Sequence, residues 1–147
     1  MLALGAREDR PDYAYHDGVT LRAYELPRVD ILIHYLVRDE PEVARWQSGL
    51  LSIGDAEKPA YNAFRFPLAE ESRTGRRTVL WGQVRPGGGR QPYRLLRFAD
   101  GAWHSVGGTV TTSARGYLTR VVNATQGARF RLWVPDAHTY SAIVTVR

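Results

Sequence analysis

TVLWGQVR (78–85), PYRLLRF (92–98), WHSVGGTVTT (103–112), YLTRVV (117–122), RFRLWV (129–134) and SAIVTVR (141–147) are short runs rich in β-branched and aromatic residues. Between them stand PGGGRQ, ADGA, SARG, NATQGA and PDAHTY, clusters of glycine, proline, asparagine and aspartate that interrupt a strand ladder. Runs of this length at this spacing predict an all-β sandwich or barrel. Period-two alternation identifies the faces. Phe130, Leu132 and Val134 oppose Arg129 and Arg131, and Val144 and Val146 oppose Thr145 and Arg147. Tyr93 and Leu95 flank Arg94, although Leu96 spoils the pattern beyond. Asp100-Gly101 is a tight-turn signal of the kind that closes a hairpin. PGGGRQ lacks the lysine-serine/threonine ending and the helix of a phosphate loop, and reads as a hairpin turn.

Six or seven strands over residues 77–147 suggest an immunoglobulin-like or fibronectin-like sandwich without its disulfide, since the chain has no cysteine. Trp81, Trp103 and Trp133 fall in these strands and read as core residues, although an exposed one could bind sugar. Upstream, AEESRTGRR (69–77) is charged, contains Gly75 and has no apolar periodicity, so residues 69–76 read as a linker. Before it, Val29 to Val37 is an almost unbroken apolar run interrupted only by Asp30 and His34. It is too short for a membrane span and too continuous for a strand with one wet face. The expectation is a strand buried on both faces, as in a parallel sheet covered by helices. It stops at Arg38-Asp39-Glu40-Pro41, where charge and proline end the ladder. Lys58-Pro59-Ala60-Tyr61-Asn62-Ala63-Phe64 reads as a helix start with proline in the first turn.

The order of an apolar strand, RDEP (38–41), WQSGL (46–50) and KPAYNAFRFPL (58–68) resembles the last strand, loop and helix of secreted actinobacterial (β/α)8 glycoside hydrolases of the cellulase-like retaining type. The likeness covers about residues 27 to 68 well. The immunoglobulin-like domains that follow such barrels are similar to the tail here at Leu80–Pro86, Gly116–Arg120 and Val144–Arg147. The resemblance implies a fold that is mainly β with a small α/β part. Residues 1–68 would be a truncated (β/α)8-barrel-derived βα fragment, 69–76 a linker and 77–147 an immunoglobulin-like β-sandwich. A complete barrel needs about 250 residues, so 147 cannot form one alone. Laying Gly5 and Pro11-Asp12 on the family pattern puts Ala3 where a nucleophilic glutamate belongs, and alanine cannot form a glycosyl-enzyme. A long helix before the last strand would shrink to Asp17–Leu26. His34 stands near the place of a family tryptophan that serves as a sugar platform, which weakens that platform.

Composition excludes several classes. Hydrophobic content of 44% argues against disorder. The net charge of +5 is carried by arginine, with Lys58 the only lysine, and the arginines are scattered without a basic run, which makes a nucleic-acid partner a poor reading. The four histidines show no metal-ligand spacing, and no metal or cofactor is expected. MLALGARED has too short an apolar run for a signal peptide, while the resemblance implies an extracellular protein.

Retaining glycosidases need two carboxylates about 5 Å apart. Asp39 and Glu40 are adjacent, and in an extended segment neighbouring side chains point to opposite faces, so they read as loop-ordering ion pairs with Arg38 or Arg45. No catalytic residue is assigned. The candidate substrate-binding residues are His34, Tyr35, Arg38, Asp39, Glu40, Trp46 and Gln47. The functional expectation is a non-catalytic C-terminal segment or relic of a secreted glycoside hydrolase, acting as a structural, interaction or assembly domain. The alternatives are a carbohydrate-binding accessory module and part of an active hydrolase once the rest of a barrel is supplied. The apolar run needs cover, which implies self-association or a larger protein assembly, with polysaccharide a further partner and no membrane.

Overall fold

The computed structural model describes residues 12–42, 45–86 and 88–147, with side chains from residue 18 onward. The short strand expected at Leu2–Gly5 and the alignment of Ala3 with a nucleophile lie outside the described residues. Helix α1 spans Asp12–Glu25 and α2 spans Pro59–Arg65. The helix expected over Asp17–Leu26 is therefore present and begins five residues earlier. Pro59 opens α2, where its missing N–H costs nothing.

Nine strands follow: β1 (Leu68–Thr74), β2 (Arg77–Gln83), β3 (Pro92–Ala99), β4 (Ala102–Ser105), β5 (Val110–Thr111), β6 (Tyr117–Asn123), β7 (Arg129–Val134), β8 (Thr139–Tyr140) and β9 (Val144–Thr145). They form two sheets. The first has the order β1-β2-β6. The second has the path β4-β3-β7-β8, with β5 added to β3 and β9 to β7. Leu68, Leu80, Leu118 and Val122 of the first sheet join Tyr93, Leu95, Phe130, Leu132 and Val134 of the second in one buried cluster. The protein is thus mainly β, two sheets closed over a shared apolar core, as the alternation of Phe130, Leu132 and Val134 requires. Asp100 and Gly101 both take positive φ, 50° and 76°, and join β3 to β4 as the tight hairpin expected.

Two local expectations are corrected. Residues 69–76 are not a linker. They form most of β1 and its turn into β2, with Leu68 and Ala69 buried. The charged residues that hide the periodicity line an outermost strand, where charge keeps the unpaired edge from templating other chains. Nor is the segment after β2 a hairpin turn. β2 and β3 belong to different sheets, and the chain crosses between them.

The larger correction concerns Val29–Val37. Among the described residues the run has no strand partner, and it is open to water, with Ile31 74%, Ile33 80% and Tyr35 66% exposed. Leu36 has a φ of 70°, outside the strand region, and the nearest pairing is one isolated parallel bridge between Arg38 and Leu51. A strand buried on both faces needs neighbours on both edges, and this chain folds its other strands into the two sheets instead. The run remains a ribbon outside both sheets.

α1 covers the outer face of the first sheet. Leu21 packs on Ala69 and Trp81, so the tryptophan is 2% exposed although it points away from the main core. On the outer face of the second sheet Trp103 and Trp133 lie half-buried and Tyr140 is exposed. The Arg131 guanidinium carbon sits 4.2 Å from the centre of the Trp103 ring and 3.7 Å from that of Tyr140. Desolvation there pulls the Arg131 pKa below the ordinary arginine value, against a raising influence of Tyr140.

Candidate functional site

The seven residues singled out in the sequence do come together, in a loop running from the ribbon to α2. Its centre is Asp39. The Asp39 carboxylate accepts hydrogen bonds from Gly49 N–H at 2.9 Å and from Lys58 Nζ at 2.7 Å. Lys58 Nζ also donates to Gln47 O at 2.9 Å. A glycine at 49 is required, because a Cβ there would collide with the backbone of Arg38 and Asp39. His34 Nε2 pairs with Ser48 O at 2.8 Å, and its ring lies 5.6 Å from Phe64. Gln47 Nε2 donates to Glu40 O and Glu42 O, each at 3.2 Å.

Ion pairing follows the expected type with one changed partner. Glu40 faces Arg45 at 3.9 Å as anticipated, whereas Asp39 pairs with Lys58 rather than with an arginine, and Arg38 pairs with Asp55. The reason lies in the loop's return path. Lys58 is brought beside Asp39 by its backbone bond to Leu50 O, and Asp39 itself bonds Leu51 O through its N–H. Most of the polar side chains are thus engaged in holding the loop, although Glu40 Oε2 is buried without a hydrogen bond among the described residues, and Asp39 and Glu40 are turned to separate partners. What this loop offers outward is aromatic: Tyr35 and Trp46, edge to face at 6.4 Å, with Trp46 42% exposed.

A second constellation lies where α1, the start of the ribbon and the first sheet meet. Trp81, Gln83 and Arg85 occupy alternate positions of β2 and its continuation, so all three fall on the sheet's outer face. Tyr117 on β6 stands opposite Gln83. With Tyr24 of α1, Trp81 and Tyr117 make a cluster whose ring centres are 4.7 to 6.0 Å apart. Beside it is a cleft of about 210 Å³, whose ribbon wall includes Val29, Asp30 and Leu32.

Two donors of this cleft are chemically unusual. The Trp81 indole N–H is buried and has no acceptor among the described residues. Arg85 donates from Nε to Gln83 Oε1 at 2.8 Å and from Nη1 to Phe64 O at 3.1 Å, and its guanidinium lies 4.8 Å from the centre of the Phe64 ring. Burial pulls its pKa below the ordinary arginine value, against a raising influence of Tyr117. The sequence signal for this group was the i, i+2, i+4 spacing of Trp81, Gln83 and Arg85. It was hidden because a lone strand does not reveal that a helix will roof its outer face. Among the described residues no group of histidines and carboxylates could hold a metal ion, and no helix is long and apolar enough to cross a membrane. No family model, no curated protein and no solved structure matches the chain.

Proposed function

We propose that this chain is a non-catalytic structural and interaction domain, the C-terminal segment of a secreted cellulase-like (β/α)8 glycoside hydrolase or a relic of one. In this reading the two-sheet body is its immunoglobulin-like part, and the ribbon, the Asp39 loop and α2 descend from the last βα unit of a barrel. The observation that carries it is the ribbon. Its composition is that of a buried element, yet Ile31 and Ile33 are 74% and 80% exposed. Residues Asp30–Ile33 and Tyr35–Leu36 make no backbone hydrogen bond among the described residues. An apolar segment with open backbone edges is a template for pairing with another polypeptide body. The resemblance through RDEP, WQSGL and KPAYNAF supplies the kind of body, a parallel sheet that accepts the ribbon as a strand.

Alone, the chain should use the same ribbon to self-associate. Light scattering after size exclusion should give more than a monomer. The double variant Ile31→Ser, Ile33→Ser should be monomeric with stability within about 0.5 kcal/mol of the parent, because both side chains are already solvated. A strictly monomeric parent would refute the docking role. A second reading, a carbohydrate-binding accessory module, is supported by the aromatic cleft at Trp81.

A further inference from the structure

The cleft beside α1 has a polarity that the docking ribbon does not account for. Its floor has donor groups not all of which are used, the Trp81 N–H and the Nη2 end of Arg85. Trp81 is 2% exposed and its N–H is unmade, a cost to the unoccupied protein that an incoming acceptor would remove. Arg85 has no carboxylate within ion-pairing distance among the described residues, and its Nη2 makes no hydrogen bond there. A partly desolvated guanidinium of this kind favours an oxyanion that can take the N–H groups left at its Nη2 end. Gln83 adds no free acceptor, because its Oε1 receives Arg85 and its Nε2 donates to Arg115 O at 3.2 Å.

The walls and rim have the opposite character. Tyr24 and Tyr117, with centres 4.7 Å apart, and the side chains of Val29 and Leu32 supply apolar area. Asp30 lines the same cleft and has no hydrogen-bond or ion-pair partner among the described residues, so it can accept from hydroxyl groups. The volume of about 210 Å³ lies below the roughly 300–1,000 Å³ of sites for larger ligands, the scale of one ring and not of an extended chain segment. The required ligand therefore carries one oxyanion, several hydroxyls and a C–H face.

We propose that this cleft binds the carboxylate-bearing ring of an acidic glycan, a uronic-acid unit. The carboxylate lies on Arg85 and the Trp81 N–H, the ring C–H face on Tyr24 and Tyr117, and the hydroxyls on Asp30. The inference rests on the carbohydrate-binding reading and specifies its ligand class. Val29, Asp30, Ile31 and Leu32 of the ribbon line this cleft, so the site requires that part of the ribbon to stay against the first sheet, and ligand binding and docking through it are in competition.

Isothermal titration of the 147-residue chain with galacturonate, galactose, acetate and a free amino acid tests it. Galacturonate should bind in the millimolar range, about tenfold or more tighter than galactose or acetate. Trp81→Phe, which keeps the ring and loses the N–H, should weaken galacturonate about fivefold. Arg85→Gln should erase the preference for galacturonate over galactose. Because those two positions are buried or half-buried, Asp30→Asn at the exposed rim serves as the variant that leaves folding untouched, and it should weaken both sugars alike. Equal binding of galactose and galacturonate would overturn the acidic class while leaving a sugar site. Failure of every sugar to bind the parent would end both readings, and acetate or the amino acid matching galacturonate would show a carboxylate pocket that does not recognise a sugar.

Discussion

Replacing Asp39 by alanine removes the group on which the loop from the ribbon to α2 converges, and the structure sets the size of the loss. The carboxylate is buried, at 8% exposure for the residue, and takes two short bonds, 2.9 Å from Gly49 N–H and 2.7 Å from Lys58 Nζ. A hydrogen bond to a charged group contributes about 1.5–3 kcal/mol. The Lys58 share is smaller than that range suggests, because its side chain is 28% exposed and it keeps Gln47 O at 2.9 Å when the carboxylate goes. Gly49 N–H, in contrast, has no second acceptor among the described residues and is held against Asp39 by close backbone contact. The expected net cost is about 2–3 kcal/mol, a large fraction of the roughly 5–15 kcal/mol that stabilises a domain. Guanidinium titration followed by circular dichroism and by tryptophan fluorescence measures it, with an unchanged denaturant slope as the sign that the same surface is exposed. Lys58→Met completes a double-mutant cycle whose coupling should be about 1 kcal/mol. A loss for Asp39→Ala below about 0.5 kcal/mol, the range of an ordinary surface change, would refute the view of Asp39 as the organising contact.

Gly82→Ala should cost about 1–3 kcal/mol by thermal or chemical denaturation. An added Cβ would lie 2.8 Å from Pro67 O and 3.3 Å from methyl carbons of both Leu68 and Leu118, and that carbonyl is fixed by its bond from Gln83 N–H. Leu95→Ala, at a side chain with 0% exposure between the sheets, should lose about 2–5 kcal/mol. Val121→Ser, 54% exposed on β6, should stay within about 0.5 kcal/mol by the same measurement.

The legible part of the fold is the part governed by period two. Phe130, Leu132 and Val134 signalled the face of β7 that the core buries, and Asp100-Gly101 fixed the β3–β4 hairpin, because both patterns are local and two-sided sheets enforce them. Proline at 59 likewise marked the start of α2. Where local pattern failed, the cause was the surroundings. Glu70, Glu71 and Arg73 read as linker because an outermost strand may be charged along its length, and the partner that makes it a strand lies across a turn at Gly75. Ile31 and Ile33 read as buried because composition reports what a segment would prefer and not whether neighbours exist to supply it. For the candidate site, the loop residues lie near one another because they are close in sequence, but the pairing of Asp39 with Lys58 depended on a return of the chain that spacing alone does not encode. Trp81 was read as core and is buried, yet its burial comes from a helix on the far face.

Arg131 has a consequence for how the second sheet comes apart. Trp103 lies on β4 at one rim and Tyr140 on β8 at the other, and the Arg131 guanidinium, rising from β7, meets Tyr140 on the neighbouring strand and reaches Trp103 across β3. β4 has four residues and β8 only two, so neither rim is long enough to hold itself by ladder bonds alone. The cation acts as a tie-rod: when one rim frays its ring is withdrawn, and the guanidinium is left with the ring of the other rim alone.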